Sequence, residues 1–463
     1  MDERKIHTNL HDVFALIFIL KFSILYYRVK KFILFILDAA VLYASLLLVL
    51  KIRYPDHFAD QHQSHFYPFL LIFGLWLLIF YIANLYETRL LRNNVHFYTA
   101  LFRAIAFATT ISVLFFYLIP LFGITPKTNL ILFTAIVSGL AFATRWLFNG
   151  IVENRFKKSV LIVGTDEQSQ ELARFIRDNP QWGYVVNRTV DPTDIESIER
   201  IIREEQINII VLNPGAYQMA RIIDLFYKSL NKKIGFVNLS SFYERLTGQV
   251  PLGTINQIWF LENLNEGNKR AYEIFKRGAD FVSAVVIGII ALILFPFIMI
   301  SIRATSAGPV FYRQRRVGQA GRAFNMIKFR TMRQDAEQAT GAVWAAENDP
   351  RITRVGRFLR KTRLDELPQI WNIFKGEMSF IGPRAERPEF HEQLKAVPFY
   401  EERYLIKPGL TGWAQINFRY GSSVKDAAEK LKYDLYYIKN RSPILDLGIF
   451  LKTARIILQQ SGK

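Results

Sequence analysis

The sequence predicts a membrane protein with a four-helix transmembrane region, then an α/β module, then a basic, mainly helical domain. Three observations lead there. Four apolar stretches crowd the N-terminal third, a βα alternation follows from Ser159, and an uncharged run, Phe281–Ile302, precedes an arginine-rich region. Composition agrees, with 51% hydrophobic residues and a net charge of +19. That much apolar surface excludes global disorder. The basic excess suits anionic membrane, phosphorylated substrate or nucleic acid without choosing among them. Absence of cysteine excludes disulfides, thiolate catalysis and zinc ribbons.

The four spans fall within residues 31–152. Phe32–Leu50 is apolar apart from Asp38, Phe66–Tyr86 and Ala104–Pro126 carry no charge, and Thr128–Thr144 ends at Arg145, placed to snorkel to the interface. Each is close to the roughly 20 residues that cross a bilayer. Asp38 lies near the basic end of its span, which favours simple ion pairing over a transport role. The preceding N-terminal segment, residues 1–30, lacks a signal-peptide pattern. Its stretch Val13–Tyr27, interrupted by Lys21, reads as an interfacial helix. Arg28, Lys30 and Lys31, then Arg89 and Arg92, then Arg155, Lys157 and Lys158 share one side of a four-span arrangement. The other side has only Lys51, Arg53 and Lys127, so the N-terminus and everything after Lys158 are expected in the cytoplasm.

Residues 159–262 read as a small parallel sheet of doubly wound, Rossmann-like type. Its strands are Val160–Val163, Ile209–Leu212 and Lys233–Val237, and its helices Gln168–Arg177, Ile195–Glu205 and Met219–Leu230. The first turn, Gly164-Thr165-Asp166-Glu167-Gln168, has one glycine where a dinucleotide fingerprint needs several. A regulatory or assembly role is the expectation.

Phe281–Ile302 is long enough to cross, but Pro296 removes a backbone hydrogen bond inside it. The expectation is a re-entrant helix over 279–302, broken near Phe295-Pro296; a straight fifth span is the alternative. Beyond it, Arg313 to Arg363 holds thirteen Lys or Arg against four acids. Such a stretch can grip phosphate or lie on anionic lipid. Just past its end, in the run Arg360–Gln369, sits Asp365-Glu366. Thr362-x-x-Asp365 could be a helix cap. The pair could equally supply a carboxylate that attacks phosphorus while its neighbour holds Mg²⁺. His391 is the one histidine beyond residue 100, and neither a Gly-x-Ser-x-Gly elbow nor a Walker A pattern is present.

From about residue 270 to 463 the chain resembles the bacterial sugar transferases, the polyisoprenyl-phosphate hexose-1-phosphate transferases. The matching segments are Thr305–Phe311, Gln314–Gly318, Lys328–Met332, Asn348–Thr353, Leu364–Gln369, Ser379–Arg384 and Lys407–Gln415. The N-terminal arrangement is similar to that of the family's long members. The resemblance implies a monotopic phosphoglycosyl transferase domain that moves hexose-1-phosphate from a UDP-hexose to undecaprenyl phosphate at the bacterial inner membrane. It implies a covalent aspartyl-phosphosugar intermediate and a start to exopolysaccharide, capsule or O-antigen synthesis. Asp365 would be the nucleophile and Glu366 its Mg²⁺-binding partner. Lys328, Arg330 and Arg384 match basic family positions and would handle phosphate; Arg354, Arg360 and Arg363 are assigned there from charge and proximity. Lys407–Gln415, with Trp413, is read as structural. A proline break at Pro296 is also a family feature, although Phe295 stands where many relatives would have serine. Long relatives imply a homodimer, and no nucleic-acid partner is expected, because Arg313–Arg363 has few interleaved aromatics.

Two other readings compete. A membrane nucleotide-sugar dehydratase shares four spans and a Rossmann-like module, but needs a fuller glycine fingerprint and a Tyr-x-x-x-Lys pair. Around Tyr436 the lysine, Lys439, comes one residue too early. A non-catalytic basic membrane scaffold would leave the ordered motifs around Asp365 without a purpose.

Overall fold

The computed structural model describes residues 10–87, 91–118, 127–154, 157–229, 234–264, 267–334, 336, 349–418 and 423–458. The chain divides into two compact units, Met1–Leu246 and Thr247–Lys463.

The first unit begins with four long helices, α1 (Leu10–Arg53), α2 (Phe58–Ile82), α3 (Val95–Leu118) and α4 (Lys127–Asn154). Each contains a stretch long and apolar enough to cross a membrane. The expected interfacial segment and first span are one continuous helix from Leu10; Lys21 and its neighbouring side chains lie outside the described residues, as does Arg89. Leu42, Leu46, Phe69, Trp76, Phe80 and Phe133 are wholly or almost wholly buried along the inner stripes. Trp76 Nε1 donates to Ser112 Oγ at 2.9 Å, giving the indole the partner that burial demands.

Asp38 does form the expected ion pair, and its partner corrects the reading of Arg145. Rather than snorkelling, Arg145 is fully buried, with Nη2 2.5 Å from Asp38 Oδ2 and Nη1 3.2 Å from the Leu85 carbonyl. Removing one partner strands the other charge in the helix core. Asp38→Ala should therefore lose about 3–5 kcal/mol, while the double change Asp38→Leu/Arg145→Leu recovers most of it. Thermal unfolding in lipid nanodiscs reads both; a single variant as stable as wild type would remove the pair from the account.

The same unit continues with β1 (Lys158–Val163), α5 (Glu167–Asp178), β2 (Tyr184–Val190), α6 (Ile195–Glu204), β3 (Ile209–Leu212), α7 (Ala220–Lys228), β4 (Gly235–Asn238) and α8 (Leu239–Thr247). The strands are all parallel in the order β2-β1-β3-β4. β1 and β3, which have neighbours on both sides, read as continuous apolar runs, as buried parallel strands do. The edge strand β2 was not anticipated, because its exposed Asn187, Arg188 and Thr189 dilute the pattern. Asp166 caps α5 through Ser169 N, and Asn213 Nδ2 donates to Asp166 Oδ2 at 2.6 Å. The turn at Gly164 is thus closed by the chain's own side chains, Asp166, Ser169 and Asn213.

The second unit opens with α9 (Gln257–Asn263) and α10 (Arg270–Thr305). Val250, Ile255 and Trp259 join its core, which is why the boundary falls before residue 262. α10 holds a fifth stretch apolar enough to cross. The helix continues through Phe295 and Pro296, so α10 lacks the break expected there. Next come a two-stranded antiparallel hairpin, β5 (Phe311–Val317) and β6 (Ala323–Phe329), then α11 (Arg354–Lys361), a 3₁₀ turn at Leu364–Gln369 and α12 (Ile370–Lys375). The remainder is β7 (Ser379–Ile381), α13 (Pro388–Leu394), β8 (Gly409–Thr411), α14 (Trp413–Asn417), α15 (Val424–Asn440) and α16 (Pro443–Leu458), with β7 and β8 parallel. A Tyr-x-x-x-Lys spacing passed over in the sequence, Tyr272–Lys276, lies at the start of α10. Both side chains bond Asp446 Oδ2 at 2.8 Å and tie α10 to α16.

Candidate active site

Asp365 and Glu366 sit in the 3₁₀ turn between α11 and α12, and both are buried. The cap reading of Thr362 does not hold. Its hydroxyl donates back to the Phe358 carbonyl at 2.9 Å, and Arg363 enters the left-handed region at φ 60° before the turn begins. That reversal separates the turn from α11 and directs the two acids inward.

Two crossings hold the turn. Asn372, at the start of α12, accepts from Ile327 N at 3.1 Å and donates to Asn325 O at 2.8 Å, pinning α12 to β6. On the other side, Thr353 caps α11 through Gly356 N, while Thr353 N donates to Thr331 O at 3.0 Å. A Cβ on Gly356 would lie 2.0 Å from the Thr331 carbonyl oxygen, so a side chain there must push two backbone segments apart. Gly356→Ala should accordingly lower stability by roughly 1–3 kcal/mol, read from thermal unfolding.

Three of the expected phosphate residues converge on one atom. Glu366 Oε1 lies 2.8 Å from Arg384 Nη2, 3.2 Å from Lys328 Nζ and 3.8 Å from Arg363 Nη1. Burial would raise the Glu366 pKa, but Arg384, Lys328 and Arg363 outweigh it and hold the carboxyl below the usual range. Asp365 goes the other way. Burial, and then the charge on Glu366, push it up to about 6 against the pull of Lys328, Arg360 and Arg363. Its Oδ1 is buried without a hydrogen-bond partner. Two neighbouring acids with pKa values driven apart are the usual mark of divided roles.

The remaining basic candidates divide. Arg360 acts on Asp365 electrostatically while its Nε donates to Thr331 Oγ1 at 2.9 Å. Arg330 does not reach the pair. Its guanidinium bonds the Ala307 and Ser306 carbonyls at 2.6 and 2.7 Å and fixes the turn after α10. Arg354 is exposed in the first turn of α11, and no contact joins it to the pair among the described residues.

Arg384 is positioned by residues the sequence reading did not single out. Gly409 N donates to Pro383 O at 2.8 Å and Gly382 N to Thr411 O at 2.9 Å. A Cβ on Gly409 would sit 2.1 Å from Gly382 N, so the two backbones touch directly. In Lys407–Gln415, expected to be structural, Trp413 stacks on Tyr436 and donates to Gly248 O at 2.8 Å. Beneath the loop, fully buried Arg403 donates to Arg384 O at 3.0 Å, Asp434 Oδ2 at 2.9 Å and Glu386 Oε1 at 3.2 Å. An arginine inside the segment Tyr400–Leu405 carries no local pattern that announces such a role.

Among the described residues no three or more His, Cys, Asp or Glu side chains cluster as a metal cage. Mg²⁺ commonly takes one or two carboxylates and completes its shell from water and substrate phosphate. The orphaned Asp365 Oδ1 beside Glu366 fits that partial donor set.

The family profile described as "Bacterial sugar transferase" matches residues 271–460, the stretch that contains every residue of this site. An exopolysaccharide production protein PSS of Rhizobium leguminosarum bv. phaseoli is 37% identical over 196 residues, which is 40% of this chain and 92% of that relative. The chain belongs to the bacterial sugar transferase family. A second member, the UDP-N-acetylgalactosamine-undecaprenyl-phosphate N-acetylgalactosaminephosphotransferase of Aeromonas hydrophila, is 41% identical over 230 residues, 49% of this chain and 52% of its own. A UDP-glucose:undecaprenyl-phosphate glucose-1-phosphate transferase of Xanthomonas campestris pv. campestris is 42% identical over 182 residues, 38% of each chain. The chain thus spans about half or less of the length of these two relatives.

Proposed function

We propose that the chain transfers a sugar phosphate from a UDP-sugar to undecaprenyl phosphate, through a phosphosugar carried on Asp365. The observation that carries this reading is the unpartnered, buried Asp365 oxygen beside a glutamate already held by three cations. A carboxylate oxygen without a hydrogen bond keeps its lone pairs for an electrophile. Its Oδ1 attacks the sugar-bearing phosphorus, the bond to the bridging oxygen breaks, and UMP leaves with that electron pair. The acceptor's phosphate oxygen then attacks the same phosphorus, Asp365 leaves as a free carboxylate, and a diphosphate-linked sugar forms. No proton is gained or lost in the sum. Lys328, Arg363 and Arg384 hold Glu366 charged and offer their remaining N–H groups to phosphate oxygens. Mg²⁺ held by Asp365 and Glu366 would neutralise phosphate charge that otherwise repels an anionic nucleophile.

The setting suits a membrane-bound acceptor. The positive flanks of the first four spans favour a cytoplasmic catalytic unit, where nucleotide sugars are made, and the basic stretch after α10 suits an anionic membrane surface. Matched relatives act on N-acetylgalactosamine and glucose donors by their names, so the sugar is left open. The dehydratase reading loses its footing at Gly164, where the sheet turn is closed by Asp166, Ser169 and Asn213. A regulatory or assembly role for the Rossmann-like module remains the proposal.

Nucleoside monophosphate release from a panel of UDP-sugars, with Mg²⁺ and undecaprenyl phosphate, tests the reaction. UMP from one donor supports it; UDP release would mean ordinary glycosyl transfer. Because Asp365 must be ionised to attack, the rate should climb with pH through about 6 and fall roughly tenfold per unit below it. A profile flat from pH 5 to 8 would detach the rate from that carboxyl.

A further inference from the structure

One cavity in the second unit is not used by the chemistry above. It is a groove of about 500 Å³ between α10, the hairpin, α12 and the end of the catalytic turn. Ala284, Gly288 and Ala291, at helical spacing on one face of α10, line it with small side chains. Phe295, Pro368 and Trp371 form part of its wall, and Arg313 is the one charged residue lining it among the described residues.

The groove adjoins the reactive pair through the chain itself. Leu367 and Pro368, which line it, follow Asp365 and Glu366 in the same 3₁₀ turn. The hairpin register puts Phe311, Arg313 and Ile327 on one face, toward the groove, while Lys328, on the opposite face, meets Glu366. An apolar channel in a membrane-helix face with a single exposed cation has the complementarity of an amphiphile, a long apolar chain ending in an anionic group.

We infer that this groove seats the first isoprene units of the acceptor lipid, with Arg313 receiving its phosphate on the way to Asp365. The inference rests on the proposed transfer reaction. The groove holds only the head-proximal part of a long chain; the rest stays among bilayer lipids. A Cβ on Gly288 would touch Ile370 Cγ2 at 3.8 Å, an ordinary contact, so alanine is accommodated and larger side chains extend into the channel.

The test uses the full chain in phosphatidylglycerol nanodiscs and follows two readouts: UMP release without acceptor, and transfer at varied undecaprenyl phosphate. The series Gly288→Ala, Gly288→Leu and Gly288→Phe should raise the acceptor KM in rising order, by about tenfold or more at leucine, with the effect falling on acceptor and not donor KM. Arg313→Gln should raise the KM for undecaprenyl phosphate while inhibition by phosphate-free undecaprenol stays at its wild-type strength. Acceptor KM unchanged across both sets would mean that ordinary bilayer lipid fills the groove, and the inference would be overturned. Loss of acceptor-free UMP release in the Gly288 series would overturn it too, because the groove would then serve the donor step or the fold. Failure of the wild-type chain to release UMP from any donor strikes the underlying reaction instead, and is recognised before any variant is made.

Discussion

Asp365→Asn should abolish transfer and stabilise the protein at the same time. Asparagine keeps the shape of the side chain but cannot form the acyl phosphate, so the rate should fall by roughly 10⁴-fold or more. The stability gain follows from the raised pKa. In the folded chain Asp365 binds its proton up to about 6, against 3.8 ordinarily, so folding is penalised once the carboxyl ionises. The penalty is absent below the ordinary value, grows as pH rises through the interval from about 4 to about 6, and then levels off. That rise corresponds to roughly 3 kcal/mol at its full extent. Thermal unfolding of the variant should therefore exceed wild type at pH 8 and match it near pH 4. Glu366, held below its usual range, contributes with the opposite sign: its stabilisation is present above the ordinary glutamate value and is lost as pH falls. A variant that loses activity and stability together would assign Asp365 to the fold.

The second large effect is expected at Arg403, which never meets substrate in this account. Arg403→Met leaves buried Asp434 and half-buried Glu386 without their shared cation, at about 3–5 kcal/mol. It also frees the Arg384 carbonyl, so the guanidinium on Glu366 loses its support. Burial already pushes Asp434 up to about 6 despite the arginine beside it. Without that arginine both acids take up protons more readily, and the variant should recover stability as pH falls from 8 toward 5. Arg403→Met/Asp434→Leu separates the two roles: stability returns in part, while activity stays low because Arg384 is still unsupported. Full activity in that double variant would reduce Arg403 to a structural ion.

The parts of the fold legible in sequence were those with a strong period or composition. Four apolar runs, the β1 and β3 strands and the ion-pairing role of Asp38 followed from burial alone. What escaped was determined by tertiary partners. β2 has a polar exposed face, Arg145 found a buried carboxylate instead of water, and α10 stays helical across Pro296. At the site, Asp365, Glu366, Lys328, Arg363 and Arg384 were recognised as candidates, yet spacing could not separate the arginines that meet Glu366 from Arg330, whose place on two carbonyls depends on a turn some 20 residues away. Arg403 and Asn372 were missed for a related reason: each acts on backbone atoms distant in sequence, and neither sits in a pattern of its own.

The covalent step is tested most directly by mixing the wild-type chain with UDP-sugar and Mg²⁺, omitting acceptor, and quenching for peptide mass spectrometry. The peptide spanning Asp365 should gain the mass of one sugar phosphate, lose it when undecaprenyl phosphate is added, and never gain it in Asp365→Asn. Stoichiometric transfer to the acceptor with no adduct at any time, or an adduct on a different residue, would contradict the mechanism.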